Sequence, residues 1–385
     1  MKLRHLKSGS NFKMKVKIEM ETTMVELRLL KSEFEYAQAI QLADRVFRDE
    51  DHISMGEAFP LVFSPELNQS YGVFINNELV SFIGLVPSVI HLDAAEIQAY
   101  SIGAVCTHPG YRKKGFASML LDKVFTHVQR ADASILFVSG SLPIYIKAGC
   151  SFYGKLNKYE INKGDLQVRG DFLIRELSPF DWFYLRKLGQ SRPVYFEQSI
   201  NDFSILNKAA GFASILKMEH KILAAESENE LKGFIVFGVP NSSSKSGEQP
   251  ARVIEWGGEP EAVKAILAQA FEKGISSLKF SIPAYEKELN RLLDTIEKTA
   301  APFPGTSKIM DLDLLLKQIQ PFLHGKIKII NHDMRSKELI FNQKSVVLDN
   351  VSLEKLILQG DPNLDAYLND IFPIPLPFPE GLNYV

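Results

Sequence analysis

The stretch SIGAVCTHPGYRKKGFASMLL, residues 101–121, restricts the fold more than any other part of the chain. An apolar strand over 99–105 runs into a loop with three consecutive cations, Arg112, Lys113 and Lys114, then Gly115 and a helix. On that helix Ala117, Leu120, Leu121, Val124 and Val128 fall on one face. The continuously apolar run Ile135–Val138 follows, as expected of a central strand covered on both faces. Strand, loop, helix, strand in this order predicts a mixed α/β sheet with a cationic glycine loop at a helix N-terminus. The first amides of a helix lack intrahelical partners and lie at the positive end of its dipole, an arrangement that binds phosphate. Gly115 lets the backbone come close, and Ala117 keeps the second approach point small. Three neighbouring cations repel one another unless they share an anion.

Similar patterns extend on both sides. Residues 34–48 carry the helical stripe Ala37, Ile40, Ala43 and Phe47, and strands are expected at 71–75 and 79–90 around the turn NNE. A second unit begins near Asp171, and its segment 251–283 repeats the order strand, turn, helix, strand in architecture though not in detailed sequence. Within it NSSSKSGEQ (241–249) reads as a flexible loop. A helix presenting Leu289, Leu292, Leu293 and Ile296 follows, and APFPG (301–305) marks a boundary. The last unit reads as a helix (311–320), a hairpin (338–348) and a helix bounded by Ser352 and Gly360. It is too small to bury a large core alone and is expected to lean on the other two. The chain closes on FPIPLPFPEGLNYV, whose prolines at every second position form a stiff extended strut with apolar residues between them.

Composition narrows the function. A net charge of −2 gives no global attraction to nucleic acid or membrane. Two cysteines, Cys106 and Cys150, offer neither a disulfide framework nor metal-ligand spacing, and no metal is expected. The basic segment 1–23 lacks the apolar core of a signal peptide and reads as a disordered leader, and no window is apolar enough to span a membrane. A cytoplasmic protein is expected.

Rival phosphate motifs fail. Gly110 and Gly115 have P-loop spacing, but Phe116 stands where the lysine belongs, and GxGxxG is absent. What fits is Arg-x-x-Gly-x-Ala, residues 112–117. Between an apolar strand and an amphipathic helix, it resembles the coenzyme A pyrophosphate loop of GNAT-fold N-acetyltransferases. The resemblance implies acetyl-CoA as co-substrate. The backbone of Val105, Cys106 and Thr107 would pair with the pantetheine amides. The amides of Lys113, Lys114, Gly115, Phe116, Ala117 and Ser118, with Arg112, would hold the pyrophosphate, and Ser141 would also contact the cofactor. His108 would be positional. Tyr145, in SGSLPIYIKAGCSFYG (139–154), stands where such enzymes place the general acid to the leaving sulfur, and Cys150 replaces the usual aromatic.

A general base is harder to find. The strand 99–105 has no carboxylate, and Glu96 precedes it too early. The cluster Asp49, Glu50, Asp51 and Glu57 could attract a cationic amine, or could be solvated loop charge. Taken together, the units at 24–168, 169–300 and 301–385 resemble the Eis-like (enhanced intracellular survival) acetyltransferases. These have tandem GNAT-fold mixed sheets with flanking helices plus a small sterol-carrier-protein-like α+β domain. In that group the chain's own terminal carboxylate is the base, which here would belong to Val385. The second unit carries Glu259 and Glu261 at the equivalent helix start, where carboxylates repel pyrophosphate, and it is expected to be a degenerate, structural GNAT domain. The implied reaction is acetyl transfer to a small-molecule or peptide amine, such as an aminoglycoside-like polyamine or a lysine side chain. The resemblance also implies a homo-oligomer. The alternative is a non-catalytic acyl-CoA-binding or scaffold protein.

Overall fold

The computed structural model describes residues 12–18, 21–167, 171–240 and 249–385. Among these, the strands form three sheets. The first contains β1 (Phe12–Ile18), β2 (Glu21–Leu29), β3 (Tyr71–Ile75), β4 (Glu78–Leu92), β5 (Ala95–Thr107) and β6 (Ile135–Val138) in sequential order. Neighbours are antiparallel except β5 and β6, which run parallel because helix Phe116–Arg130 carries the chain back between them. Its buried face is Phe116, Leu120, Leu121, Val124 and Val128. Within the segment read as a leader, Phe12–Ile18 pairs with β2, and the alternation in FKMKVKI is that of a strand.

The second sheet holds β7 (Leu156–Ile161), β8 (Leu173–Glu176), β10 (Met218–Ser227), β11 (Glu230–Pro240), β12 (Ala251–Gly258), β13 (Leu278–Pro283) and β14 (Lys298–Ala301). Helix Pro260–Gln269 links β12 to its parallel neighbour β13, repeating the crossover of the first sheet. Two further strands lock the halves together. β9 (Val194–Phe196) pairs with β4, and β15 (Thr306–Ile309) pairs with the free edge of β6. β7, which precedes the second unit in sequence, is built into the second sheet between β13 and β14. The third sheet is the meander β16 (Lys328–Asn331), β17 (Ser336–Phe341) and β18 (Lys344–Asp349), packed by helix Asn350–Gln359. Its Leu339, Phe341, Leu353, Leu356 and Ile357 share one continuous core with Phe280, Leu293 and Phe303.

One local expectation is corrected. The helix expected to carry Leu289 through Ile296 spans only Lys287–Leu292, because the chain must turn to enter β14 at Lys298. The loop at 241–249 lies, apart from Gln249, outside the described residues.

The terminal strut is the thread that joins the units. Phe372, Ile374, Leu376, Phe378 and Leu382 are buried, while Pro373, Pro375 and Pro379 face partly outward. Each such apolar burial contributes about 1.5–3 kcal/mol, and the prolines reduce the entropy lost on fixing the segment. Ile374 donates its amide to Ile357 at 3.0 Å, the Tyr285 hydroxyl donates to the Leu376 carbonyl at 3.0 Å, and Phe378 meets Phe303 edge-on. The path runs from the third unit, over the second sheet, to the first.

Candidate active site

The cationic loop emerges from the end of β5. His108 accepts a hydrogen bond from the Gly110 amide at 3.2 Å through Nδ1 and packs edge-on against Tyr111, so it shapes the loop. Arg112 Nε donates to the Thr107 carbonyl at 3.3 Å, and Lys114 Nζ sits 4.9 Å from the centre of the Tyr111 ring. Gly115, at φ +84°, begins the helix in the left-handed region that favours glycine. No side chain caps the helix start there, so its first amides face outward. Among the described residues, Arg112, Lys113 and Lys114 make no ion pair, and all three are exposed. A cavity of about 380 Å³ opens here, lined by Val105, Cys106, Thr107, Arg112, Lys113, Lys114, Gly115, Phe116, Ala117 and Ser118. All but one of the sequence-derived cofactor residues therefore share one recess, and burial pushes the Cys106 thiol up to about 12.

The second recess forms where β5 and β6 part. Their pairing ends at Ile102–Val138, yet β5 continues against β4 to Thr107. Between the pairs Gly84–Gly103 and Phe82–Cys106, β5 carries one more residue than β4, and Ala104 takes φ +51°. Such a bulge turns backbone groups out of the ladder. After β6 the chain passes Ser139–Leu142 into helix Pro143–Lys147, which presents Tyr145. The resulting cavity, about 410 Å³, is lined by Val105, Ser141, Tyr145 and Val385 among others. Val105 lines both cavities, so the cationic loop and the Tyr145 recess adjoin. Burial, with smaller contributions from Cys150 and Tyr384, pushes the Tyr145 phenol up to about 12. Among the described residues its hydroxyl has no hydrogen-bond partner.

The strut delivers Val385 to this recess. Glu255 Oε2 accepts the Leu382 amide at 3.4 Å, and Glu255 is itself held by the half-buried Arg192, which also binds Glu286 at 3.0 Å and stacks on Trp256. Burial opposes the charge on Arg192, but Glu286 and Glu255 outweigh it and hold the guanidinium's pKa raised. Tyr384 lies between the rings of Phe59 and Phe212, with centroids 6.1 and 5.2 Å away. The carboxyl carbon of Val385 then settles on Gly103.

One sequence reading fails on geometry. Asp49 and Asp51 are bound by Lys217 at 2.9 and 3.2 Å, and Asp49 also meets His52 at 2.7 Å. The hydrogen bond from Lys217 is the first cause that holds Asp49 down at about 2. Asp49, Glu50, Asp51 and Glu57 are all exposed, and none lines the recess. Asp49 and Asp51 thus share Lys217 at the surface, and the cluster reads as loop charge outside the recess. What sequence reasoning missed is Arg48, beside Phe47, Met55 and Phe59 in the wall. In the second unit, a single residue, Glu259, separates β12 from its helix, so no loop equivalent to 108–115 exists there.

Residues 26–153 match the acetyltransferase (GNAT) domain family, which spans β3 to β6, the cationic loop and Tyr145. That part of the chain therefore carries an acetyltransferase domain of the GNAT type. No curated protein matches the sequence. Solved structures share the fold over most of the chain. A conserved protein of unknown function and probable N-acyltransferase from Enterococcus faecalis V583 is 17% identical with a TM-score of 0.63, covering 85% of this chain and 86% of that one. A GCN5-related N-acetyltransferase from Anabaena variabilis is 15% identical with a TM-score of 0.62, covering 84% and 85%. Eis1 from Mycobacterium abscessus is 11% identical with a TM-score of 0.60, covering 88% and 90%. The mixed-sheet architecture is thus that of GNAT-fold proteins along nearly the whole length. Among the described residues no helix is long and apolar enough to cross a membrane.

Proposed function

We propose that the protein is an acetyl-CoA-dependent N-acetyltransferase of the Eis-like kind, with Tyr145 and the carboxyl group of Val385 as its catalytic groups. The observation that carries this reading is that both groups line one recess that adjoins the cationic loop through Val105. The loop amides and Arg112, Lys113 and Lys114 hold the pyrophosphate, β5 from Val105 to Thr107 pairs with the pantetheine, and the thioester lies at the parting of β5 and β6 beside Ser141. The bulged backbone at Ala104–Val105 offers a donor to the oxyanion.

In the reaction the acceptor nitrogen, entering as the neutral amine, forms a bond to the thioester carbonyl carbon, and the carbon–sulfur bond breaks. The Val385 carboxylate takes the proton that becomes acidic as the nitrogen bonds and returns it to solvent, and the departing thiolate takes its proton from solvent water. A phenol near 12 stays protonated at any working pH. Complete transfer of its proton to a thiolate whose thiol titrates near 8.5 costs about 5 kcal/mol. Tyr145 therefore acts mainly as a hydrogen-bond donor that holds charge on the departing sulfur.

The second unit and the sterol-carrier-protein-like third unit serve, on this reading, to place the tail. Release of free thiol from acetyl-CoA with a panel of primary amines tests the proposal. Tight acetyl-CoA binding without turnover of any amine would instead identify an acyl-CoA-binding scaffold. A chain extended beyond Val385 should lose turnover while still binding acetyl-CoA, and full activity with such an extension would rule out the terminal carboxylate as base.

A further inference from the structure

The acceptor side of the recess has walls of Phe47, Met55, Phe59, Leu142 and Ile215. Among the described residues, Arg48 is the only charged side chain lining it. Arg48 has no ion-pair partner there. One terminal nitrogen donates to Ser214 Oγ at 3.1 Å, and its Nε is buried without a hydrogen-bond partner. The nearby carboxylates are engaged elsewhere. Asp44, one turn earlier, accepts from the Ser54 hydroxyl at 2.8 Å and the Met55 amide at 2.6 Å, and Asp49 and Asp51 are held by Lys217. A half-buried guanidinium with an idle donor is costly unless a ligand supplies the acceptor.

We propose that the acceptor is a primary amine on an apolar or aromatic body that also bears a carboxylate, with that carboxylate bound by Arg48. This inference rests on the acetyl-transfer reading above and names the acceptor class for the same site. The recess holds one guanidinium and one carboxyl group, so a zwitterion complements both. A polycation would satisfy only Val385 and would face the uncompensated charge of Arg48, which disfavours it as acceptor. The planar fork of arginine suits two-point binding of a carboxylate, which lysine does not reproduce.

The test uses the full chain, acetyl-CoA and thiol release with matched acceptors: phenylalanine against phenethylamine, tyrosine against tyramine, lysine against cadaverine. The carboxylate-bearing member is expected to be favoured in kcat/KM within at least one pair by ~10–100-fold. That ratio should fall towards one in Arg48→Gln and survive in part in Arg48→Lys, with the thermal midpoint of each variant measured alongside. A change in overall stability alone would scale both members equally and leave the ratio intact. The proposal is overturned if the ratio is near one in every pair, or is unchanged in both variants. It is also overturned if spermidine is acetylated while no carboxylate-bearing amine is; acetyl transfer itself would then stand. Absence of thiol release with every amine would defeat the acetyl-transfer reading, and this inference with it.

Discussion

The carboxyl carbon of Val385 rests against Gly103 so closely that a side-chain carbon at position 103 would lie 2.8 Å from it. Gly103 pairs in register with Gly84, where a side-chain carbon would lie 2.3 Å from Val62. Two facing glycines thus make room on the sheet for Val62 and for the terminus.

On the proposal that the Val385 carboxylate is the base, Gly103→Ala should lower kcat by ~100-fold, the cost of displacing such a group by about an ångström. The φ of Gly103 is outside the left-handed region, so alanine strains no backbone there, and the damage falls on the terminus. Steady-state kinetics together with acetyl-CoA calorimetry checks this. A variant with wild-type kcat would show that the terminus need not sit on Gly103.

Tyr145→Phe removes the hydroxyl that faces the recess and keeps the packing of the ring. On the proposed mechanism, in which the phenol donates a hydrogen bond rather than transferring its proton outright, the expected loss in kcat is ~10–100-fold, at or below the lower end of general-acid effects. Since Tyr145 titrates only at about 12, the wild-type pH–rate profile should show no fall near pH 10 that the phenylalanine variant lacks. Such a fall, present only in the wild type, would contradict the assignment.

At the loop, each of Arg112, Lys113 and Lys114 changed singly to alanine should weaken acetyl-CoA by ~5-fold, as suits exposed charges. The losses should shrink with added salt. Gly115→Ala should exceed any of them, because φ is +84° and a β-carbon there costs about 1–2 kcal/mol in the turn that aims the amides. Calorimetry at two ionic strengths separates the two causes; equal losses for all four variants, insensitive to salt, would argue against a phosphate site.

The parts of this site legible in the sequence were local ones. The run 99–138 announces itself because its apolar spacing changes from strand to helix and back, with the loop set between. Tyr145 and Val385 were reached through resemblance, since a lone tyrosine and a chain end carry no periodic signal. Arg48 was passed over because it looks like the last turn of an amphipathic helix; only the fold brings Ser214 to it, 166 residues later. The acidic cluster was read as open charge for the same reason, as Lys217 is 168 residues from Asp49. Strand exchange is the deepest of these omissions. Nothing in LNKYEI or TSKI states which sheet will receive it, because edge pairing depends on the partner strand left free.

The second unit should also betray itself in acid. His220 is half-buried on β10, where one ring nitrogen, Nδ1, lies 2.9 Å from the Asn207 carbonyl and the other, Nε2, is shut off from solvent without a partner. Burial holds its pKa down at about 4, against an ordinary value of 6.5. Between those two values the unfolded chain binds more protons than the folded one, so stability falls as pH falls. The loss begins below the unfolded value, is complete once pH passes the folded value, and amounts to about 3 kcal/mol at most. The chain has two tryptophans, Trp182 and Trp256, and both lie in this unit, so their fluorescence reports its unfolding directly. Urea midpoints measured from pH 7.5 to 4.5 should decline in the wild type and decline less in His220→Gln. If the two declines are parallel, the acid sensitivity belongs to other groups and His220 titrates much as it does in the unfolded chain.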